Sequence, residues 1–457
     1  VNNTRKHKSL SSKISALDVE GLEAARIPAP KDEIMLANLE ETQMEDKNSY
    51  DRWFLNGYSP DGSVFFAAAM GMYPGRNVVD ASFSVSVEGV QHNVRCSRKF
   101  SKQRDVETNN SSRDCFFEAS VGPIRIVVRE PLACVELQVN LPNENIRAEI
   151  TFVGRFPPHL EPHYSVNVTG AGKMEYDRLT QHVAWDGYII VGDHNIQVAS
   201  WYGCRDRSWG IRPHPSADKP PASNLRRNNL LANKHSRWAL NRIIPATMAQ
   251  FYWFWCPLNF EKCAMAYHTQ QKPDGKAVNR AASIVGEIPA VASSQIDAVQ
   301  RVSVDSEYHV LNQNQEVNQQ SYIRDPKVTA AGHSLVYKPF SRHAKAGSIF
   351  MTLEDGRTVK IKFEPLYPFF MSGVGYSHPV FGHGTSHSDA QVSVQYDKFD
   401  VELADRQNPL YWHIQEVCRI SAYFPNDDVP FEEGIGAVEQ LVVGPHLPSK
   451  FTMLCDT

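Results

Sequence analysis

The chain has 457 residues, which is length enough for two ordinary domains. Hydrophobic residues make up 42% and charged residues 21%, so each domain can build a core. A formal net charge of -4 gives no global electrostatic case for nucleic acid, and no apolar run reaches the ~18 residues of a membrane-spanning helix.

The first residues, VNNTRKHKSLSSK, are basic and polar and lack the apolar centre of a signal peptide, so a cytoplasmic location is expected. Residues 1–47 read as an arm. Ile14, Leu17, Leu22 and Ala25 predict a short amphipathic helix that Pro28 and Pro30 end. A second charged stretch with Leu36, Leu39 and Met44 predicts another. The arm is expected to pack on the body or on a second subunit, which leaves a homodimer open.

From about Ser49 the period changes to two. Phe83, Val85 and Val87 alternate with Ser82, Ser84 and Ser86, and Val135, Leu137 and Val139 alternate with Glu136, Gln138 and Asn140. Further on, Val359, Ile361 and Phe363 alternate with Lys360 and Lys362. Each pattern predicts a strand with one buried and one wet face. Asp186-Gly187 and Asp355-Gly356 predict hairpin turns. Strands that recur this often, with little helix between them, describe antiparallel barrels or sandwiches. Residues 48–235 and 236–457 are taken as two β-domains. Between them, 213–245 is rich in Pro, Asn, Arg and Lys and reads as a connecting excursion. Its Arg226, Arg227, Lys234, Arg237 and Arg242 form a solvated linker surface, a lid, or a grip on an acidic group. The eight cysteines are scattered without a CxxC pair and read as buried thiols.

The densest chemistry lies in Trp201–Arg212, WYGCRDRSWGIR. On a strand, Asp206 shares a face with Tyr202, Cys204 and Ser208, while Arg205, Arg207 and Trp209 share the other. Asp206 must then find its partner elsewhere in the fold. Gly203 and Gly210 suggest bends or close backbone approach. Two readings stay open. Arg and Asp form a buried network that closes a barrel end, or Asp206 sits in an apolar pocket as a general acid or base. In Tyr252-Trp253-Phe254-Trp255 one alternate pair should face a core. The other should face a pocket, an interface or the second domain, and such a wall suits a carbocation. In the 378–387 segment, His383 and His387 have i, i+4 spacing, but Gly384 and the absence of an adjoining Glu argue against a zinc helix. His383 is better read as a turn residue lining a pocket, and no metal is expected. Gly434-x-Gly436-x-x-Glu439 enters an apolar strand, so Glu439 is either a cavity carboxylate or exposed beside a turn. His182 and Asp177 are weaker candidates. No Walker loop, GxGxxG turn or GxSxG elbow is present, and no cofactor is expected.

The RDRSWGIR segment, the Trp185-Asp186-Gly187 piece before it, the Gly382-His383-Gly384 turn and the late Gly-x-Gly-x-x-Glu occur in this order elsewhere. Over roughly residues 50–457 the chain resembles the carotenoid 1,2-hydratases (hydroxyneurosporene synthases) and related AttH-like proteins. That resemblance implies two lipocalin-like antiparallel β-barrels in tandem, an all-β fold to which this chain adds its partly helical arm. It also implies a hydrophobic small-molecule substrate. Family members include hydratases of isoprenoid double bonds and pericyclases that fold a polyene. The expectation is a cofactor-independent lyase or isomerase acting on an isoprenoid, steroid or polyene, by hydration or dehydration first. Asp206 would be the acid, with Tyr202 and His383 orienting it or a water. Trp209 and Trp253 would flank a cationic centre, with Tyr252, His182 and Glu439 as further lining. Arg205 and Arg212 would hold the barrel end or an anionic substrate group. The alternatives are a lipid or terpenoid carrier, and an assembly role for the arm and excursion.

Overall fold

The computed structural model describes residues 26–107, 115–168, 172–213, 250–290, 322–376, 378, 380–386, 391–425 and 427–453. The helix expected near 14–25, most of the basic excursion and His387 lie outside them.

The described chain is almost entirely antiparallel sheet. Twelve strands form the first half: β1 Ser49–Tyr58, β2 Val64–Tyr73, β3 Val78–Val87, β4 Val90–Lys99, β5 Phe117–Val121, β6 Ile124–Glu130, β7 Cys134–Leu141, β8 Ile146–Gly154, β9 His159–Leu160, β10 Tyr164–Val168, β11 Gly172–Val191 and β12 His194–Ile211. Ten follow: β13 Phe251–Asn259, β14 Cys263–Gln271, β15 Ala277–Pro289, β16 Tyr322–Arg324, β17 Val328–Tyr337, β18 Ala344–Leu353, β19 Thr358–Phe370, β20 Val392–Asp400, β21 Ile414–Tyr423 and β22 Glu432–Val443.

The first sheet runs β20-β4-β3-β2-β1-β12-β11-β8-β7-β6-β5 and the second runs β16-β15-β14-β13-β22-β21-β19-β18-β17. Each curls into a near-barrel, because twisted sheets of this width close on themselves. In the first, β5 comes round to lie against β3 and β4. The seam is stitched by Cys96 Sγ to the Val121 carbonyl (3.0 Å) and Arg98 Nε to the Ser120 carbonyl (3.1 Å). In the second, β15 returns to β17. The fold is therefore all-β with two barrel-like sheets. One strand crosses between the halves: β20 is late in the chain, yet it extends the first sheet beside β4.

Apolar side chains fill each barrel, one core including Phe66, Leu137 and Trp185 and the other Phe254, Met351 and Phe363. A third core, with Phe54, Phe65, Trp253, Trp255 and Trp412, lies between the two sheets. Strands β1, β2 and β3 are consequently buried along their whole length. This corrects one expectation. Ser82, Ser84 and Ser86 are not on a wet face, because the 3-10 turn that follows β19, Met371–Val374, packs across β3 and β4. Gln91, Asn93 and Arg95 share that covered surface, where Gln91 and Arg95 bond backbone oxygens of Phe370 and Ser372. The alternation in β7 and β19 does leave one face toward solvent.

Asp355-Gly356 turns between β18 and β19, with Gly356 at φ 84°. Asp186-Gly187 does not turn. It is a bulge inside β11, with Gly187 at φ 134°, and the hairpin follows at Gly192-Asp193. A Cβ at Gly187 would meet the Glu149 backbone, so the glycine serves close strand approach rather than a loop.

The arm packs on the body. Its described part has a 3-10 turn, Pro30–Glu33, and a single helical turn, Glu41–Met44, instead of a second full helix. Leu36 and Leu39 join the first barrel's core. Two ion pairs lock the arm and β1 to β12. Arg205 meets Glu33 through Nη1 at 2.8 Å and Nη2 at 2.5 Å, and Arg207 grips Asp51 through Nε at 3.0 Å and Nη2 at 2.6 Å. All four side chains have no exposed surface. Leu132 N–H bonds to Glu33 and Leu36 N–H to Asp51, which gives each carboxylate a third donor. Removing one partner of such a pair strands a buried charge, at a cost of about 3–5 kcal/mol. Glu33→Ala is expected to lose about that much in urea unfolding. The double replacement Glu33→Met with Arg205→Met should recover a large part of it.

Candidate active site between the two sheets

Strand β12 divides its side chains by parity. Beyond the irregularity at Ser200, odd residues enter the first barrel and even residues face the second sheet; before it the even residues Ile196 and Val198 enter the barrel. Antiparallel pairing then selects which neighbours meet Asp206. It is opposite Thr180 on β11 and Phe54 on β1, with Arg178, His182, Arg52 and Asn56 on the same surface. From the second half, β13 presents Trp253, β14 presents His268, β21 presents Gln415 with His413 just before it, and β22 presents Glu439.

Two carboxylates here are fully satisfied. Glu161 accepts from Thr180 Oγ1 (2.9 Å) and Arg178 Nη1 (3.3 Å) and pairs with His268 Nδ1 (3.3 Å). Burial alone would raise its pKa, but His268 and Arg178 hold it well below the usual carboxylate range. Glu439 accepts from Trp253 Nε1 (3.0 Å) and Gln415 Nε2 (2.7 Å) and meets His413 Nε2 at 2.9 Å. Burial opposes ionisation there too, and these three partners bring its pKa below the ordinary value.

Asp206 differs. Its nearest cation, Arg178 Nε, is 3.5 Å from Oδ2, and Oδ1 is buried without a hydrogen-bond donor from the protein. Burial pushes its pKa up to about 7. Arg178 and Arg212 work against that rise, while the charges of Glu161 and Glu439 reinforce it. The desolvation-versus-arginine contest left open by the sequence falls to desolvation, because Arg178 is shared with Glu161. The side chain is 18% exposed, so it remains within reach of a ligand.

Aromatic groups wall the site. Trp253 stacks on His268 (5.6 Å between centroids), with the Arg178 guanidinium 4.9 Å from its ring. Tyr376 stands edge-on to His413 and to His383, each at 4.8 Å. It belongs to a strap after β19 that is tied to the first sheet at three points. Arg52 donates to the Val374 carbonyl (2.9 Å), Arg95 to the Ser372 carbonyl (3.0 Å), and Gly384 N–H to Asp80 (2.5 Å). Gly384 has φ 71°, which glycine adopts freely.

The structure thus brings together Asp206, Arg212, Trp253 and Glu439, and sets His383 beside Tyr73 and Tyr376 at the edge. His182 shares the surface further along β11, opposite Cys204, and burial lowers its pKa to about 3, keeping it neutral. Four placements are corrections. Arg205 and Trp209 lie on the odd face of β12. Arg205 is spent on Glu33, and Trp209 lies in the first barrel's core with Arg207 over it at 5.0 Å. Tyr252 points into the second barrel, where its hydroxyl lies 2.6 Å from His333 Nε2, because its parity is opposite to that of Trp253. Tyr202 shares the face of Asp206 but lies four residues along the strand, roughly 13 Å away, stacked under Arg155 at 3.8 Å. The weaker candidate Asp177 pairs with Arg26 of the arm. Glu161, His268, His413 and Tyr376 were not singled out from sequence. They sit in unremarkable contexts and become a group only through strand pairing. Among the described residues no three His, Cys, Asp or Glu form a metal-holding group, and none of the helices is long and apolar enough to cross a membrane.

A family of unknown function, DUF8625, matches residues 35–452. The chain belongs to that family. No curated protein matches its sequence. Among solved structures it is similar to a protein named AttH from Nitrosomonas europaea, at 12% identity and a TM-score of 0.44, covering 88% of this chain and 96% of the other. It is similar to CghA solved with Sch210972, at 9% identity and a TM-score of 0.43, covering 87% and 89%. It is also similar to kievitone hydratase from Nectria haematococca, at 11% identity and a TM-score of 0.36, covering 92% and 97%. Identities and scores this low say nothing about the reaction of this DUF8625 member.

The folded Asp206 holds a proton that the unfolded chain releases near pH ~4. Stability from this group is full below that pH and is lost as pH rises through about 7. Asp206→Asn, neutral throughout, should flatten the fall in melting temperature between pH 5 and pH 8. Difference infrared spectra of wild type against that variant should show a carboxyl titrating near pH 7. Arg178→Gln should move it higher, since the main stabiliser of the carboxylate is then gone.

Proposed function

We propose that this protein is a cofactor-independent acid–base enzyme acting on a hydrophobic substrate between its two sheets, with Asp206 as the proton donor. The carrying observation is the contrast among three neighbouring carboxyls. Glu161 and Glu439 are held ionised by full sets of partners, whereas Asp206 is left with an unpaired oxygen and a pKa of about 7. A group poised near the working pH is the efficient proton donor. The fixed charges of Glu161 and Glu439 would stabilise positive charge developing on the substrate, and the Trp253 face would do the same through its π electrons.

This chemistry suits hydration of a double bond, or its reverse, loss of a hydroxyl, on an isoprenoid, steroid or polyene. In the forward direction the Asp206 proton goes to carbon, a water adds to the cationic carbon, and the water's proton returns to the carboxylate. Ring closure or isomerisation would use the same donor without the water.

Ligand extraction from the purified protein with organic solvent, followed by mass spectrometry, should yield a terpenoid, steroid or polyene to assay. On that substrate Asp206→Asn should lose about 10²–10⁴-fold in turnover. The wild-type rate should be high below pH 7 and fall as pH rises through it, since the acid must carry its proton. Full turnover in Asp206→Asn would remove the assignment. Release of an unaltered ligand with no turnover would favour a carrier.

A further inference from the structure

Three arginines face the site from the first sheet, and their charges are balanced unequally. Arg52 lies 3.3 Å from Asp80 and also bonds the Tyr73 hydroxyl at 3.0 Å. Arg178 lies 3.3 Å from Glu161 and 3.5 Å from Asp206. Arg212, the last side chain of the RDRSWGIR segment, has no carboxylate within ion-pair distance among the described residues. Its guanidinium lies over the Tyr50 ring at 4.3 Å, and its Nη2 is buried without a hydrogen-bond acceptor.

A guanidinium carries five donors in a planar fork and keeps its charge at all working pH values. Leaving such a donor buried and unmatched is costly unless something else supplies an acceptor. The groups nearest in charge terms are the phenols Tyr50, Tyr73 and Tyr376 and a second cation, Arg52. Together they make an electropositive, hydroxyl-lined corner beside Asp206 and the Trp253 wall. On the premise that this surface is the enzyme's site, we infer that its substrate is an amphipathic anion, whose carboxylate, enolate or phenolate oxygen is held by Arg212 while its apolar body lies toward Trp253.

Asp206 is faced by Arg178 from β11, Glu161 from the segment before β10, Glu439 from β22 and Arg212 from its own strand. An anion seated on Arg212 cancels the attraction that Arg212 exerts on the Asp206 carboxylate and adds repulsion. Binding therefore raises the proton affinity of Asp206, so the substrate loads its own acid. By reciprocity, the anion binds more tightly when Asp206 is protonated.

The test uses cinnamate and its neutral amide as probes, titrated against the full-length protein by calorimetry at pH 7 in buffers of different ionisation enthalpy. Wild type should bind cinnamate at least ten-fold more tightly than cinnamamide, with net proton uptake. Arg212→Gln should bind the two equally, and Arg212→Lys should restore part of the preference. Asp206→Asn should keep the preference for the anion and lose the proton uptake. That outcome separates the anion site from the acid assignment, because turnover is lost in Asp206→Asn while anion preference is not. Equal binding of the two probes by wild type, no binding of either, or a preference that survives in Arg212→Gln would overturn the inference. Circular dichroism and melting of both Arg212 variants identify a variant that has not folded.

Discussion

Burial of the Trp201–Ile211 part of β12 on both faces is the constraint on which the rest of the structure depends. A strand covered on one side can turn its charges toward water, but this stretch of β12 has no such side. Each of its charged residues has to be answered from within the protein. On the odd face each cation has its own carboxylate, Glu33 for Arg205 and Asp51 for Arg207, and Arg207 Nη1 is the nitrogen there without an acceptor. On the even face the answers are incomplete, with one oxygen of Asp206 and one nitrogen of Arg212 left over. Every charge is paired on one face of the strand, and pairing is left incomplete on the other.

The division explains why one short segment looks both structural and chemical. The arm supplies Glu33, and Leu36 and Leu39 fill the barrel beneath it. The arm is thus part of the first barrel, and β12 is held stiffly from behind. A rigid backing holds Asp206 at a fixed depth, and depth sets the desolvation that lifts its pKa. The second sheet contributes the opposite wall through Trp253 and Glu439. Neither half has the site alone.

Between the halves, polar contacts accompany the apolar core. Asn56 Nδ2 bonds Gln415 Oε1 at 3.0 Å and Asn259 Nδ2 bonds the Gly203 carbonyl at 3.0 Å. Such contacts have to be met individually, which fixes the relative position of the sheets more tightly than apolar contact would. Gly203 is part of this fit, since a Cβ there would collide with the Asn56 carbonyl oxygen. Gly203 thus permits the close approach of β12 and β1, on which the pairing of Asp206 with Phe54 depends.

By itself, the sequence determined the strand content, because period-two alternation reports the pleat directly, as in β7 and β19. It also determined the partition within β12 and within Tyr252–Trp255, since parity along a strand is a local property. It could not determine which parity faces which neighbour. Arg205, Trp209 and Tyr252 were therefore assigned to the site although they point into barrels. Nor could it distinguish a wet serine face from one covered by a distant segment, because Ser82, Ser84 and Ser86 suit both. Only the tertiary structure decided that Glu161 and Glu439 flank Asp206, with His268, His413 and Tyr376 behind them. Only burial between the two sheets decided that desolvation, rather than arginine pairing, governs its charge. Both depend on residues far apart in the chain, and pairing between distant strands leaves no local trace in composition or spacing.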